Sequence, residues 1–449
     1  MPAPTVRFLG GVREIGGNKV VVEDGHDRIL FDFGPSFNPL YEQYFVDYLR
    51  PRSTSMVKDL LEFGLLPRVE GLYAKEHLAH SDLEYREPEF SAVFVTHAHA
   101  DHAGYLELID PEIPVYVGEG TRALLQTIDD STNQTYGEHD WHTFSDSRPI
   151  PIGPIEVTPY PVDHSIPFAF GYLVRTRDGS FAYTGDFRQH GPRASDSHAF
   201  FEALAEAKPE GFAIEGTRAG PDPRKNFSEQ GVRESVDGLL TETPDIAFAC
   251  TYPRDIDRLT TLYRAAAAAG RTFVVSFRTA YLLQEMARWF PTGAIPVPGV
   301  SPNLAVYGRR KKVYAKYERP FLDDALDASD LAKQGREYLL ALDFSHFGEL
   351  IDIRPPKGSP FVHSMSEPFC EDDLSDQVLH NWLDHFGLRF HQAHASGHAS
   401  ESELFEIVRH VDPGHLYPIH TEHPEEFRKI GPRVRLPELG ERYPLRGAS

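Results

Sequence analysis

Short apolar runs bounded by turn residues open the chain. Residues 6–9, 20–23 and 28–33 alternate with Gly-rich and Asp-Gly turns, which predicts an antiparallel meander. From 37 to 89 the pattern loses any single period, and short helical patches among scattered charges, Tyr and Pro predict an elaborated connection outside the core. The run 93–95 reads as a buried strand, and beyond it strands and helices alternate as far as the segments 160–165 and 181–186. From Gly211 the pattern changes again. The runs 211–215, 246–250 and 272–277 are continuously apolar with helical segments between them, which predicts a parallel sheet covered on both faces and hence a second α/β unit. One helix over 254–269 ends at Gly270, a natural C-cap. Another over 372–386 places Leu374, Val378, Trp382 and Phe386 on one face and stops at Gly387. Ser400-Glu401-Ser402-Glu403 is a capping box, opening a helix with Leu404, Ile407, Val408 and Val411 toward the core before a strand over 416–419.

At 449 residues the chain calls for two domains, or one with a large insertion. Its 45 basic against 67 acidic residues give a net charge of −22, so a polyanion would have to meet a local basic surface. The two cysteines, Cys250 and Cys370, lie far apart and suggest reduced, buried thiols in a cytoplasmic protein. No apolar run approaches the roughly 20 residues a membrane helix needs, and the N-terminus lacks a signal pattern.

The chemistry concentrates where apolar strands end. His97, His99, Asp101 and His102 follow the 93–95 strand within six positions, and such a loop can bring His97 and His99 to one metal ion and Asp101 and His102 to a second. His164 and Asp186 follow two further apolar segments, and His420 follows a third, so all seven can meet on one sheet edge with the Asp186 carboxylate bridging two ions. Asp32, ending the strand before Gly34, is a candidate support for the histidine loop, and the glycine pairs 10–11 and 16–17 read as turns at the site rim. His394 and Ser396 lie in the turn before the capped helix, where backbone N–H groups help grip a phosphate. Arg309, Arg310, Lys311 and Lys312 form the densest basic run, interleaved with Tyr307, Tyr314 and Tyr317, a candidate track for a single strand. A solvated face is the plain alternative. In that case Arg254 and Arg278, beside the strand ends at Cys250 and Phe277, are the next place to seek phosphate contacts.

In this order, His97-Ala98-His99-Ala100-Asp101-His102, then His164, then Asp186, the chain resembles the metallo-β-lactamase hydrolases. Glu215 on a strand, His398 within 395–399 and His420 after Pro418-Ile419 resemble motifs A, B and C of the β-CASP nucleases, and the opening 9–16 with 394–399 is most similar to ribonuclease J. The resemblance implies an α/β fold of four αββα layers with an inserted β-CASP domain: 1–205 and 366–449 for the metal-bearing domain, 206–365 for the insertion. It implies two Zn²⁺ ions, with Mn²⁺ or Mg²⁺ as alternatives. His97, His99 and His164 would hold one, Asp101, His102 and His420 the other, and Asp186 with a hydroxide would bridge. Asp101, Glu215 and His398 are the implied catalytic side chains, His398 oriented by Glu215 to protonate the departing ribose 3′-oxygen. The implied activity is exo- or endonucleolytic hydrolysis of single-stranded RNA to 5′-phosphate products, with DNA as a second partner and a homodimer as the candidate assembly. Competing readings are a crosslink-repair DNA nuclease, whose branch carries valine where His420 stands, a small-ester hydrolase without the cap, and a non-catalytic scaffold with lost ligands.

Overall fold

In the computed structural model, residues 3–37, 39–46, 48–221, 228–367 and 374–446 are described. Cys370 and the first residues of the helix expected from 372 lie outside them. Two mixed sheets face each other. The first runs in spatial order Arg442–Pro444, Thr5–Gly10, Lys19–Asp24, Asp27–Phe31, Ala92–Val95, Val115–Gly118, Trp141–Phe144, antiparallel through the expected meander and parallel from Asp27–Phe31 onward. The second runs His415–Ile419, Gly211–Glu215, Ser180–Tyr183, Ala169–Arg175, Ile155–Val162, Ile150–Ile152. Alternation along these strands turns one side of each inward, so Phe8, Val20, Val22, Phe31 and Phe94 meet Val157, Tyr172, Phe181, Tyr183 and Tyr417 in a shared core. Helices Ala194–Ala207 and Glu401–Val411 cover the outer face of the second sheet through Phe200, Leu204, Leu404 and Val408. The capping box at Ser400 and Glu403 starts the second of these as the sequence predicts.

The inserted unit is a third sheet, Leu304–Tyr307, Thr272–Ser276, Tyr338–Ala341, Ala247–Thr251, Pro360–Ser364, Arg389–Gln392, parallel throughout. Helix Ile256–Ala268 ends before Gly270, whose φ of +67° is the left-handed value a C-cap glycine adopts.

Three expectations shift. Gly211–Glu215, assigned to the inserted unit from its continuous apolar run, pairs in parallel with Ser180–Tyr183 and His415–Ile419 in the second sheet. A central parallel strand buried on both faces has the same pattern in either sheet, so its sequence cannot choose between them. Arg389–Gln392 and helix Leu374–Phe386, assigned to the return segment, instead complete the inserted unit. The helix buries Leu379 and Leu383 while Leu374 is 71% exposed. The connection 37–89 is not outside the core. Its short helices bury Val57, Leu60, Leu61 and Leu78 in the same cluster as Val93, Val95 and Val115 of the first sheet. Each short element supplies at most three anchors over one or two turns, too few for a period to emerge.

Candidate metal centre

Strand Ala92–Val95 is buried throughout and is followed by the buried Thr96, directly before the histidine loop. Asp32 takes a left-handed φ of +59° at the end of the neighbouring strand, a conformation that costs energy outside glycine and that its surroundings must hold in place. They do. Its carboxylate accepts from Thr96 N (2.7 Å), Thr96 Oγ1 (2.8 Å), Tyr183 Oη (2.7 Å) and His102 Nδ1 (2.8 Å). With Nδ1–H given to Asp32, His102 turns Nε2 inward, where it is buried without a hydrogen-bond partner. His164 likewise donates Nδ1–H to Gly397 O (2.6 Å), and Thr217 Oγ1 lies 2.8 Å from His420 Nδ1.

The nitrogens so freed converge. His99 Nδ1 lies 3.1 Å from both His97 Nε2 and His164 Nε2, and burial lowers all three imidazoles, His99 to about 4, so they stand neutral with lone pairs available. One ring proton on His99 serves at best one of these contacts, whereas a cation among three lone pairs serves all of them. Asp186 Oδ2 sits 3.2 Å from His102 Nε2 and 3.6 Å from His420 Nε2, and Oδ1 of the same carboxylate is buried and unpartnered. Burial alone would raise this carboxyl, but His102 and His420 hold it well below the usual carboxylate range. Two groups result, His97, His99, His164 with Asp186 and Asp101, His102, His420 with Asp186, each with ligand atoms within 4.8 Å of one another. The orphaned Nε2 and Oδ1 atoms and the neutral imidazoles fit metal ions.

His398 stands at the open side of the cluster. Its Nδ1 is 3.2 Å from Glu215 Oε1 and 4.0 Å from Asp186 Oδ2. Glu215 is fixed in turn by Thr217 N, which donates to Oε2 at 2.9 Å. A cleft of about 560 Å³ runs from His99, Asp101, Asp186, His398 and His420 to Tyr252, Arg254, Arg278, Ser366, His394 and Ser396 of the inserted side.

Residues 69–206 match the beta-lactamase superfamily domain, and residues 387–428, holding His398 and His420, match the Zn-dependent metallo-hydrolase RNA specificity domain. The two matched stretches together hold the histidine loop, His164, Asp186, His398 and His420, and each is what the chain is similar to there. Among relatives, ribonuclease J of Sinorhizobium meliloti is 26% identical over 367 residues, which is 78% of this chain and 61% of that protein. Ribonuclease J of Pyrococcus abyssi is 24% identical over 449 residues, 96% of this chain and 91% of that one. The chain thus spans about three fifths of the length of the first relative. A crystal structure of a protein of unknown function from Enterococcus faecalis superposes with a TM-score of 0.81 at 26% identity, covering 99% of this chain and 100% of that one. That structure shares the architecture of facing sheets with an inserted third sheet.

The basic run stands apart from the cleft. Arg309 and Lys311 line a separate cavity of about 80 Å³ that shares Arg278 with the cleft, Lys311 pairs with Glu318, and Arg310 and Lys312 are exposed. Tyr307, expected to stack bases, is buried and donates its hydroxyl to Glu349 (2.5 Å). Sequence reading missed Tyr183 and Thr217, which brace Asp32 and His420 from 151 and 203 positions away, distances that leave no local signal. Asp32→Ala should loosen the His102 ring and weaken metal affinity by about 10–100-fold, measured by competition with a chromophoric chelator. Unchanged affinity would leave Asp32 only a turn residue.

Proposed function

We propose that the protein is a two-zinc phosphodiesterase that hydrolyses single-stranded RNA and leaves 5′-phosphate ends. The observation that carries this is the pair of ligand groups sharing Asp186, with the Glu215–His398 couple beside them at the head of a cleft. The ribonuclease J relatives and the RNA specificity domain support RNA as the substrate.

Bound there, two metal ions supply charge neutralisation at the phosphate oxygens and a water acidified toward neutral pH. Glu215 accepts Nδ1–H of His398, and with that bond in place the doubly protonated ring is the form that holds at Nε2 the proton the departing ribose 3′-oxygen needs. On the inserted side, Arg254 reaches only Gln134 Oε1 (3.2 Å) and has no carboxylate partner among the described residues. Its burial and the nearby Arg278 both lower its proton affinity, so a phosphate between the two guanidiniums relieves an uncompensated charge. The remaining cleft wall offers His394 and Ser396, Ser396 Oγ accepting from His398 N at 3.1 Å, which ties the phosphate-gripping turn to the proton donor. A cytoplasmic location belongs to the same proposal. Among the described residues no helix is long and apolar enough to cross a membrane.

Neutralising Arg254 and Arg278 as glutamines should weaken RNA binding and flatten its salt dependence by about 1.4, two contacts at roughly 0.7 each for a single strand. Neutralising Arg309, Arg310, Lys311 and Lys312 asks whether the strand continues past Arg278. The slope should flatten again while hydrolysis of bis-p-nitrophenyl phosphate stays unchanged, and an unaltered slope would make the run a solvated face. The proposal as a whole is tested by incubating the protein with 5′-monophosphorylated RNA and the matching DNA, each labelled at either end. RNA fragments with 5′-phosphates support it. Cleavage of DNA in preference to RNA would instead favour the crosslink-repair reading.

A further inference from the structure

Arg258 has no accessible surface at all, yet its side chain touches three segments of the chain. From helix Ile256–Ala268 its Nε and Nη2 donate to the two carboxylate oxygens of Glu229 (3.1 and 2.8 Å), Nη1 donates to Ser364 Oγ (2.6 Å) and Ser364 O (3.1 Å), and Nη2 also reaches Ala395 O (3.1 Å). Nη1 further lies 3.2 Å from His394 Nδ1. A buried guanidinium must be paired and fully hydrogen-bonded to be tolerated, so this geometry is held firmly. Glu229 is shared with Arg188 (3.4 Å), which in turn binds Asp163 (3.2 Å), the residue before His164. The metal loops and the turn 394–398 are therefore tied to one charged framework.

A guanidinium only donates. Beside the Arg258 cation, 3.2 Å away, His394 Nδ1 is favoured as a lone pair, sharing the Nη1 hydrogens with Ser364, and the ring proton is then left on Nε2. Ser364 O lies at the same 3.2 Å from Nδ1 and has a second lone pair, so the choice between the two forms falls to the cation, which attracts a lone pair and repels an N–H. Burial and the neighbouring Arg258 lower His394 to about 3, so the ring stays neutral. Nε2 has no partner among the described residues, and His394 lines the cleft.

We infer that Arg258 is a positioning residue: it holds the turn 394–398 in register with the metal site and fixes His394 as the neutral tautomer that presents Nε2–H to the cleft. This rests on the proposed RNA hydrolysis for its kinetic consequence but not for its structural one. An anionic phosphate oxygen accepts from Nε2–H, whereas the other tautomer would offer it a lone pair.

The test has two readouts. Long-range ¹H–¹⁵N spectra of the zinc-loaded protein carrying ¹⁵N-histidine, with His394 assigned by its loss in His394→Gln, should show His394 protonated at Nε2. In Arg258→Lys, whose single ammonium cannot span the same acceptors, the pattern should shift toward mixed tautomers. Metal content of that variant should equal wild type while turnover of RNA falls by about 10²-fold, as expected when a reacting group is displaced by an ångström. In Arg258→Ala, added guanidinium should restore part of the turnover and equimolar ammonium should not. An Nδ1-protonated His394 in the wild type overturns the inference, as does full turnover of Arg258→Lys with both metals present. If the wild type hydrolyses no RNA, the tautomer signal still decides the role of Arg258, and the failure belongs to the proposed function.

Discussion

Asp186→Asn is expected to lose metal and nearly all turnover. The carboxylate lies among four imidazole nitrogens, His102 Nε2 at 3.2 Å, His420 Nε2 at 3.6 Å, His97 Nε2 at 3.8 Å and His164 Nε2 at 3.9 Å, and belongs to both ligand groups. No other side chain there is shared. An amide in its place has one oxygen and a weakly basic one, so it cannot bridge two cations or balance their charge. Electrostatic stabilisation by such ions is worth several kcal/mol, so the loss should reach about 10³-fold or more in kcat. Elemental analysis beside a turnover assay checks both effects. A variant that retains two metals and wild-type turnover would remove Asp186 from the centre.

His398→Ala is expected to separate proton transfer from metal binding. His398 belongs to neither ligand group, and its Nδ1 contact is to Glu215 rather than to the cluster. Metal content should therefore stay at the wild-type value while RNA turnover falls by about 10²–10⁴-fold, the usual contribution of a positioned general acid. A substrate whose leaving group needs no proton, such as bis-p-nitrophenyl phosphate, should lose far less. Loss of metal in this variant would place His398 among the ligands, and equal losses on both substrates would deny it the acid's role.

The seven candidate ligands were legible because each follows a strand, and strand ends of facing sheets gather on one edge, so local pattern carried long-range information. Asp32 was legible for the same reason. The framework around it was not. Arg258 meets His394 across 136 positions and Arg188 meets Glu229 across 41, and charged residues in helices read as solvent-facing until the partner surface is known. The basic run Arg309 to Lys312 reads differently in sequence and in space. It draws attention by density, yet the cleft is lined instead by the isolated Arg254 and Arg278, and Tyr307 within the run is a core residue. Gly211–Glu215 shows a further limit, since an apolar run reveals that a strand is buried but not which sheet buries it.

The most direct test is a metal titration of the hydrolytic centre. Protein stripped with a chelator is dialysed, reconstituted with increasing Zn²⁺, and assayed for hydrolysis of 5′-monophosphorylated RNA while bound metal is counted. Two groups of ligand atoms joined by Asp186 predict activity that rises with occupancy and levels off at two ions per chain. Full RNA turnover by the stripped protein, or a plateau at one ion, would contradict a two-metal ribonuclease.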